Sequence, residues 1–390
     1  MRTTYISKAA QQIKPSGIRK FFDLASTMEG VISLGVGEPD FVTAWNVREA
    51  SILSLEQGYT SYTANAGLLS LRKEISAYLN KRFHLDYAPD DELIVTVGAS
   101  QALDIAVRAI LDPGEEVLIP EPCFVAYEAL VSLAGGKAVH IHTNAERGFK
   151  ASAADFEAVL TERTKAIILC TPSNPTGSVY TKKELEEIAA FAEQHDLIVI
   201  ADEIYAELTY DEAYTSFAEI AGMKKRTILI SGFSKGFAMT GWRLGYVAAP
   251  AYLRDPMLKI HQYSMMCAPS MAQFAAEEAL KNGLEDVEKM KKSYRRRRNV
   301  FVDSLNEIGL DCHQPGGAFY AFPSVKKTGM SSEQFAEELL ISEKVAVVPG
   351  NVFGPSGEGY IRCSYASSLE QLQEALVRMK RFVEKVGAVK

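Results

Sequence analysis

The chain has 390 residues, of which 47% are hydrophobic, and its 42 basic and 49 acidic side chains leave a net charge of −7. This length and composition predict a large buried core divided over two or three compact units. The acidic balance argues against a nucleic-acid surface, and the lack of an apolar leader or of a membrane-length run predicts a cytoplasmic protein without a membrane partner. The five cysteines show no CxxC spacing and the six histidines no HExxH motif, so we expect neither a disulfide framework nor a metal site.

Strand-like and helical segments alternate through the first two thirds of the chain. The predicted strands cover residues 93–97, 116–119, 138–141, 165–169, 197–201 and 227–231. Helical patterns between them cover residues 101–111, 124–134 and 181–194. This alternation predicts an α/β fold with a mostly parallel sheet and helices on both faces.

The pattern changes after Gly283. The elements predicted there are a long charged helix to about residue 310, short strands at 318–322 and 359–363, and a last helix at 368–386. These elements predict a smaller α+β domain. The basic run 294–298 lies within the long helix, and we expect it to form a solvated helix face rather than a binding patch.

Lys235 has the surroundings of a lysine that forms an imine with an aldehyde cofactor. It follows the predicted strand 227–231, and open α/β sheets bind their ligands just beyond such strand ends. Imine formation requires the neutral amine, and apolar walls or a nearby cation lower the pKa of a lysine toward working pH. Arg243, eight residues later, has a planar donor fork suited to phosphate. A lysine taken alone is more often a surface charge, so Lys235 has to be judged with its neighbours.

Two other strand ends carry polar side chains. Asp202 follows the apolar strand 197–201, where a carboxylate needs a partner. A protonated pyridine nitrogen would be such a partner. Alternatively, Asp202 could be the N-cap of the next helix. Tyr205 could return its hydroxyl to a cofactor phenolate, although by itself it is more often a packed aromatic. Asn174 lies in the turn 171–177, and its amide could donate to the same phenolate and to a substrate carboxylate. A plain turn explains the prolines and glycine of that segment equally well.

Two further segments could bind anions. Residues 98–100 begin a helix with small side chains, so free amides and the Ser100 hydroxyl could hold a phosphate. The glycine spacing fits neither a Walker A loop nor a GxGxxG fingerprint, and a capped helix without a ligand would look much the same. Arg362 lies in the strand-like run 359–365, where either an amino-acid carboxylate or a structural salt bridge could pair with it.

Together these residues resemble the class I aminotransferases of pyridoxal-phosphate fold type I, in particular their bacterial subgroup. The resemblance covers nearly the whole chain and keeps the motifs in order. They lie at residues 34–41, 59–67, 171–177, 202–205, 231–243 and 315–320 and at Arg362. It implies an enzyme that moves the amino group of an L-amino acid to a 2-oxo acid, such as 2-oxoglutarate or pyruvate, through pyridoxal 5′-phosphate in a ping-pong mechanism.

Carried over by position, the family pattern makes Lys235 the catalytic lysine, which forms the imine with the cofactor and then moves the substrate Cα proton. The cofactor contacts that it implies are Asp202 at the pyridine nitrogen, Asn174 and Tyr205 at the phenolic oxygen, Phe124 on the ring, and Gly98, Ala99, Ser100, Ser234 and Arg243 at the phosphate. The substrate carboxylate is assigned to Gly37, Asn174 and Arg362. Tyr62 is expected to reach the phosphate of the neighbouring subunit, in a homodimer with shared active sites.

The resemblance also implies a domain division, and this chain differs from the commonest family pattern at two positions. Residues 45–283 would form a large cofactor-binding domain and residues 1–44 with 284–390 a small one, with the active site in the cleft between them. Phe124 stands where many relatives have Trp or Tyr, which keeps ring stacking but loses a hydrogen bond. Gly232 stands where many have Ser, and Ser231 or Ser234 could replace that phosphate donor.

The sequence determines the substrate less closely than it determines the type of reaction. Residues 260–263 and 357–360 are similar to the corresponding segments of relatives that act on alanine, aromatic amino acids or N-acetyl-diaminopimelate. We favour alanine or aromatic amino acids as the donor. An N-acetyl-diaminopimelate or aspartate aminotransferase is the alternative. Ser100 adds no cation for a second carboxylate, although Lys14 or Arg19 could close over one. The same scaffold can also support β-elimination by a C–S lyase. A ligand-sensing regulator is opposed by the acidic charge and by the lack of a helix-turn-helix pattern near the N-terminus.

Overall fold

The computed structural model describes residues 5–13, 17 and 28–387. The strands in chain order are β1 Ile32–Ser33, β2 Leu93–Thr96, β3 Glu116–Glu121, β4 Lys137–His142, β5 Thr164–Cys170, β6 Ile198–Asp202, β7 Thr227–Gly232, β8 Gly245–Ala248, β9 Tyr320–Ala321, β10 Val345–Ala346, β11 Val348–Pro349 and β12 Ile361–Ser364. The α-helices are α1 Lys8–Gln12, α2 Trp45–Glu56, α3 Leu69–Phe83, α4 Gly98–Ile110, α5 Ala126–Leu133, α6 Ala153–Glu157, α7 Lys182–Gln194, α8 Ala251–Ser264, α9 Ser270–Asn282, α10 Leu284–Glu307, α11 Ser332–Glu343 and α12 Leu369–Gly387. Among these described residues, every helix falls short of the length and apolarity that a membrane crossing requires.

Seven strands form the central sheet, in the order β2-β8-β7-β6-β5-β3-β4. Neighbouring strands are parallel except at β8, which runs antiparallel to both β2 and β7. The six strands predicted from the sequence are present, and β8 is the strand that the sequence pattern did not indicate. Its four residues begin with a glycine and are too few to show a period.

Helices cover both faces of this sheet. Along β5, Ala166 and Ile168 pack in a buried cluster that contains residues of α4, whereas Ile167 and Leu169 pack in a cluster that contains residues of α7. Successive side chains of a strand point to opposite faces, so each face is buried against a different helical layer. The predicted α/β fold with a mostly parallel sheet is confirmed.

A second core lies beside the sheet and is built from the C-terminal third of the chain. There β11, β12 and β9 form an antiparallel three-stranded sheet, and β1 pairs in parallel with β10. Leu34 packs in the same buried cluster as Phe301 of α10 and Phe335 of α11. The N-terminal residues around Leu34 are therefore fixed to the C-terminal third rather than to the central sheet.

The basic run 294–298 on α10 is not a purely solvated face, and that expectation was wrong. The Arg298 side chain is 2% exposed. It donates to the Asp211 carboxylate and to the Pro315 carbonyl, the latter at 2.9 Å. Arg295, three positions earlier, remains half exposed and pairs with the same carboxylate. The run therefore connects α10 to two loops, because a buried guanidinium needs hydrogen-bonded partners.

Candidate active site

A cavity of about 530 Å³ opens beyond the carboxyl ends of β5, β6 and β7. Asp202, at the end of β6, lies at this cavity with Asn174 and Lys235, which follow β5 and β7, as expected for ligand sites of open parallel sheets. The second core contributes residues 36–38, β9 and β12 to the wall, and α4 and residues 124–127 contribute another part. The residues singled out in the sequence that line the cavity are Gly37, Ala99, Ser100, Phe124, Asn174, Asp202, Tyr205, Ser234, Lys235, Arg243 and Arg362.

The amine of Lys235 lies inside this cavity rather than in solvent. It donates to the Gly37 carbonyl at 2.5 Å. The ring centres of Tyr205 and Phe319 are each 5.9 Å from Nζ. Lys235 lies three residues after the end of β7, at the carboxyl end of that strand. An ordinary surface lysine would have none of these contacts.

The electrostatics of the cavity shift Lys235 toward its neutral form. Burial lowers the pKa of Lys235 from its ordinary value to about 8; the Glu38 carboxylate opposes this shift, and the guanidinium groups of Arg362 and Arg243 add to it. The fraction of neutral amine near neutral pH is therefore much larger than for a solvated lysine. A neutral amine is the form that attacks a carbonyl carbon.

Asp202 ends β6 and is 4% exposed. One carboxylate oxygen accepts from the Tyr127 hydroxyl at 2.7 Å, and the other accepts from the Ile204 amide at 3.3 Å. Burial raises the pKa of Asp202, and these two hydrogen bonds oppose the shift, as does Lys235. The next helical turn begins only at Ala206, so Asp202 does not act as its N-cap. A cationic partner in the cavity would stabilise this carboxylate.

Arg362 lies in β12 and is 3% exposed. Its Nη1 donates to Oδ1 of Asn174 at 2.9 Å, and its Nη2 donates to the Gly35 carbonyl at 2.6 Å. The guanidinium carbon is 4.5 Å from the ring centre of Tyr320 and 5.0 Å from that of Phe353. Its buried Nε has no hydrogen-bond partner, and no carboxylate of the described residues pairs with the group. The salt-bridge alternative is thus not observed, and an unpaired buried donor is suited to an anionic ligand.

Asn174 and Tyr205 present further donors to the cavity. Because Oδ1 of Asn174 accepts from Arg362, the amide nitrogen of Asn174 is left to donate elsewhere. The Tyr205 hydroxyl is 2.8 Å from the Tyr320 hydroxyl, so these two groups share a hydrogen bond. The side chains of Asn174, Tyr205, Tyr320 and Arg362 all line the same cavity. An acceptor atom of a ligand could therefore receive hydrogen bonds from both Asn174 and Tyr205.

Another part of the wall is suited to a phosphate. The helix α4 begins at Gly98, and the first amides of a helix have no intrahelical partner. Ala99 and Ser100 of this turn line the cavity together with Ser234 and Arg243. Gly98 lies just behind the lining, with φ +75°, and a Cβ there would come 2.9 Å from Nη2 of Arg243. Glycine therefore lets the guanidinium approach the start of the helix, which concentrates positive potential there.

Packing explains the glycine at position 232. A Cβ there would lie 2.7 Å from the Cα of Gly245 on β8, closer than real contacts allow. The Ser231 hydroxyl donates to the Glu203 carbonyl at 3.3 Å and does not line the cavity. Ser234 does line it, so of the two serines that were expected to replace the missing donor only Ser234 is in place.

Phe124 and Tyr62 occupy different surroundings. Phe124 lines the cavity, and its ring meets Tyr127 edge to face at 5.6 Å between centroids. Tyr62 is 81% exposed and is not part of the lining of its own chain. Lys14 and Arg19 lie outside the described residues.

Nine lining residues were not singled out from the sequence, and three of these bear on the roles predicted for Lys235, Asp202 and Tyr205. These three are Glu38, Tyr127 and Tyr320. Tyr127 follows Phe124 by three positions, about one helical turn, and that spacing was the available signal. Glu38 and Tyr320 lie inside motifs that carry the resemblance, but no local pattern marks them, because long-range strand pairing brings them to the cavity.

The chain matches the family model for aminotransferase class I and II over residues 29–379. It is 80% identical to YugH of Bacillus subtilis (strain 168), a provisionally assigned aminotransferase, in an alignment that covers 98% of this chain and 99% of that protein. It is 48% identical to an aspartate aminotransferase of Pyrococcus abyssi (strain GE5 / Orsay), over 95% and 96% of the two chains. The crystal structure of an aromatic aminotransferase from Pyrococcus horikoshii OT3 superposes with a TM-score of 0.90 at 46% identity and covers 94% of this chain and 99% of that one.

These similarities extend almost from end to end of each protein. The region that the family model matches contains every residue that lines the cavity. The chain is therefore a pyridoxal-phosphate-dependent transaminase and belongs to the family of class I and II aminotransferases.

Proposed function

We propose that this transaminase takes the amino group of an L-amino acid with an uncharged side chain, alanine or an aromatic amino acid foremost, and passes it to a 2-oxo acid such as pyruvate or 2-oxoglutarate in a ping-pong cycle. The observation that carries this proposal is the set of cations in the cavity. Among the described lining residues, the cations are Lys235, Arg243 and Arg362. We propose that Lys235 binds the cofactor aldehyde, that Arg243 binds the cofactor phosphate and that Arg362 binds the substrate α-carboxylate.

A second carboxylate would therefore need a cation from elsewhere. Val36, Leu103 and Phe124 give the described wall an apolar character, which favours uncharged side chains. Dicarboxylic substrates would depend on a residue outside the described ranges, such as Lys14 or Arg19, or on a second copy of the chain. Aspartate is the second candidate donor, because the Pyrococcus abyssi relative is an aspartate aminotransferase.

The residues around the cavity fit pyridoxal 5′-phosphate. Lys235 would receive the aldehyde, and the buried carboxylate of Asp202 would pair with the pyridine nitrogen. The phenolic oxygen would accept from Asn174 and Tyr205, and Phe124 would lie against the ring. The phosphate would be held by Gly98, Ala99, Ser100, Ser234 and Arg243. When bound, the cofactor supplies an electron-withdrawing ring that stabilises negative charge at the substrate Cα.

The chain's own groups then bind the substrate and move its proton. We propose that Arg362 binds the α-carboxylate through the face that carries its unpaired Nε, with Gly37 and the Asn174 amide as further contacts. The rings on both sides of the guanidinium fix its plane, which orients the bound amino acid. Lys235 takes the proton from Cα once its amine is free, and its lowered pKa suits a general base near neutral pH.

We propose the domain division at residues 44/45 and 283/284, with the active site in the cleft. The pairing of β1 with β10 supports placing the N-terminal segment with the small domain. The cavity supports the cleft, because its walls come from the central sheet on one side and from the second core on the other.

We also propose a homodimer with shared active sites. Residues 59–65 and 263–270 lie side by side, because the Ser270 hydroxyl donates to the Ser61 carbonyl at 3.0 Å and the Asn65 amide donates to the Met266 carbonyl at 2.8 Å. Together they expose an apolar patch that consists of Tyr59, Tyr62, Tyr263, Met265 and Met266. Large exposed apolar side chains in such a group are typical of protein interfaces. A second copy on the apolar patch could receive Tyr62 at the phosphate end of its own cavity.

Heterodimers of two inactive variants test the shared site. Lys235→Ala chains and Tyr62→Ala chains are purified separately, mixed under conditions that allow subunit exchange, and assayed. If Tyr62 serves the neighbouring site, each heterodimer regains one intact site and activity rises above that of either variant alone. If Tyr62 acts within its own chain, or if the protein is monomeric by sedimentation, the mixture stays as inactive as its components.

A donor and acceptor panel tests the reaction. The purified enzyme is assayed with alanine, phenylalanine, tyrosine, aspartate and N-acetyl-diaminopimelate against pyruvate and 2-oxoglutarate. We expect the highest kcat/KM with alanine or an aromatic donor. A clear preference for aspartate would contradict the proposed donor class, and release of pyruvate and ammonia from cysteine conjugates without an acceptor would instead identify a lyase.

A further inference from the structure

We infer that Tyr320 is a positioning residue that makes Tyr205 a stronger hydrogen-bond donor to the cofactor while its ring supports Arg362. The inference rests on the proposed function, because it assumes that Tyr205 donates to the phenolic oxygen of the cofactor. Tyr320 is 1% exposed and lines the cavity at the junction of its two walls.

The position of the Tyr320 hydroxyl is set from two sides. Its oxygen is 2.8 Å from that of Tyr205. It also lies against the backbone of Gly37, where a Cβ would come within 2.7 Å of it. A side chain at position 37 would displace the hydroxyl from Tyr205, so the glycine permits both the approach of a substrate carboxylate and the pairing of the two tyrosines.

The two hydroxyl groups have two hydrogens and share one hydrogen bond. If Tyr205 donates its hydrogen to a cofactor oxygen, the remaining contact between the tyrosines is made by Tyr320 donating to Tyr205. The result is two hydrogen bonds in series, and hydrogen bonds in series polarise one another in a water-poor site. The Tyr205 hydroxyl then withdraws charge from the phenolic oxygen more strongly than it would alone.

The ring of Tyr320 has a separate role. The guanidinium carbon of Arg362 is 4.5 Å from its centre, and β9 and β12 are paired so that Tyr320 lies opposite Ser364, two residues after Arg362. The ring thus supports the group that binds the α-carboxylate, whereas the hydroxyl acts on the cofactor side. A substitution that removes only the hydroxyl separates the two roles.

The test uses the holoenzyme and the pH titration of the visible absorbance of its bound cofactor. Donors to the phenolic oxygen favour the deprotonated imine, so Tyr320→Phe should raise the midpoint of this titration, by roughly half a pH unit to one unit. Tyr205→Phe should raise it further. The double variant should match Tyr205→Phe alone, because Tyr320 acts through Tyr205.

Two controls separate this role from packing. Tyr365→Phe removes a buried hydroxyl in the same core, one that donates to the Ala318 carbonyl at 3.3 Å, and should leave the midpoint unchanged. KM for the amino donor should stay within about twofold in Tyr320→Phe, which keeps the ring, and should rise in Tyr320→Leu, which removes it.

An unchanged midpoint in Tyr320→Phe, or additive shifts in the double variant, would overturn the inference while leaving the proposed function in place. A bound cofactor whose absorbance does not change with pH would also overturn the inference alone, whereas a wild-type protein that does not transaminate any donor would remove both the proposed function and the inference.

Discussion

The two walls of the cavity are assembled in different ways. On the sheet side, Asn174, Asp202 and Lys235 each lie within four residues of the end of a strand. On the side of the second core, Gly37 and Arg362 are 325 positions apart in the sequence and meet through strand pairing and through the contact of Arg362 with Gly35. The side chains proposed to hold the cofactor are therefore placed by the ends of neighbouring strands, whereas those proposed to bind the substrate are placed by long-range assembly.

The largest expected effect is on the sheet side. Lys235→Ala should reduce transamination by several orders of magnitude, because no other described amine lines the cavity. Binding of the cofactor should persist through the remaining contacts. Single-turnover rates and cofactor content measure the two quantities. The control Lys225→Ala removes an exposed lysine that pairs with Glu193 and should be active; wild-type turnover by Lys235→Ala would exclude the assigned role.

A smaller and more selective effect is expected on the other wall. Arg362→Leu should cost about 2 to 5 kcal/mol of transition-state binding, a loss of roughly 30-fold to several thousand-fold in kcat/KM, because a buried charge pair with the substrate is lost. The affinity for pyridoxal phosphate should change little. Arg381→Leu, on the exposed side of α12, is the matched control. An equal loss of cofactor affinity would show that the two walls do not act separately.

The smallest expected effect comes from a residue of one wall, Glu38, that acts on a residue of the other, Lys235. Glu38 belongs to the N-terminal segment, yet its carboxylate raises the pKa of Lys235 against the lowering by burial. Uptake of cofactor requires the neutral amine, so the uptake rate of the apoenzyme should increase with pH through a midpoint near the pKa of about 8.

In Glu38→Gln the opposing charge is absent, so the pKa of Lys235 should fall and the midpoint of uptake should move to lower pH. Stopped-flow uptake of pyridoxal phosphate over a pH series measures this. Glu49→Gln, an exposed carboxylate on α2, should leave the midpoint where it is. A shift to higher pH would mean that Glu38 acts other than through its charge.

The sheet was predictable because its strands are apolar runs with both faces buried, and such runs show in the sequence whatever lies beside them. β8 was missed because four residues with a glycine carry no periodic signal. The basic run on α10 was misjudged for a different reason. The residue type alone does not show whether an arginine will be buried and paired with a carboxylate of another loop, as Arg298 is with Asp211.

The same distinction holds in the candidate site. Lys235, Asp202 and Asn174 could be picked out because a polar side chain just after an apolar strand has few structural reasons to be there. Tyr127 and Tyr320 could not, since an aromatic residue inside a helix or strand is usually explained by packing. Only the folded chain shows their hydroxyls at 2.7 Å from Asp202 and 2.8 Å from Tyr205.

The sequence by itself therefore determined the family and the fold class and picked out candidate residues for the cofactor, because these depend on local composition and on motifs kept in order. The tertiary structure decided how far burial lowers the pKa of Lys235, which partner orients Asp202, and that Arg362 is held between two rings with its Nε unpaired. Those properties depend on distance and desolvation, which arise only when distant segments pack together.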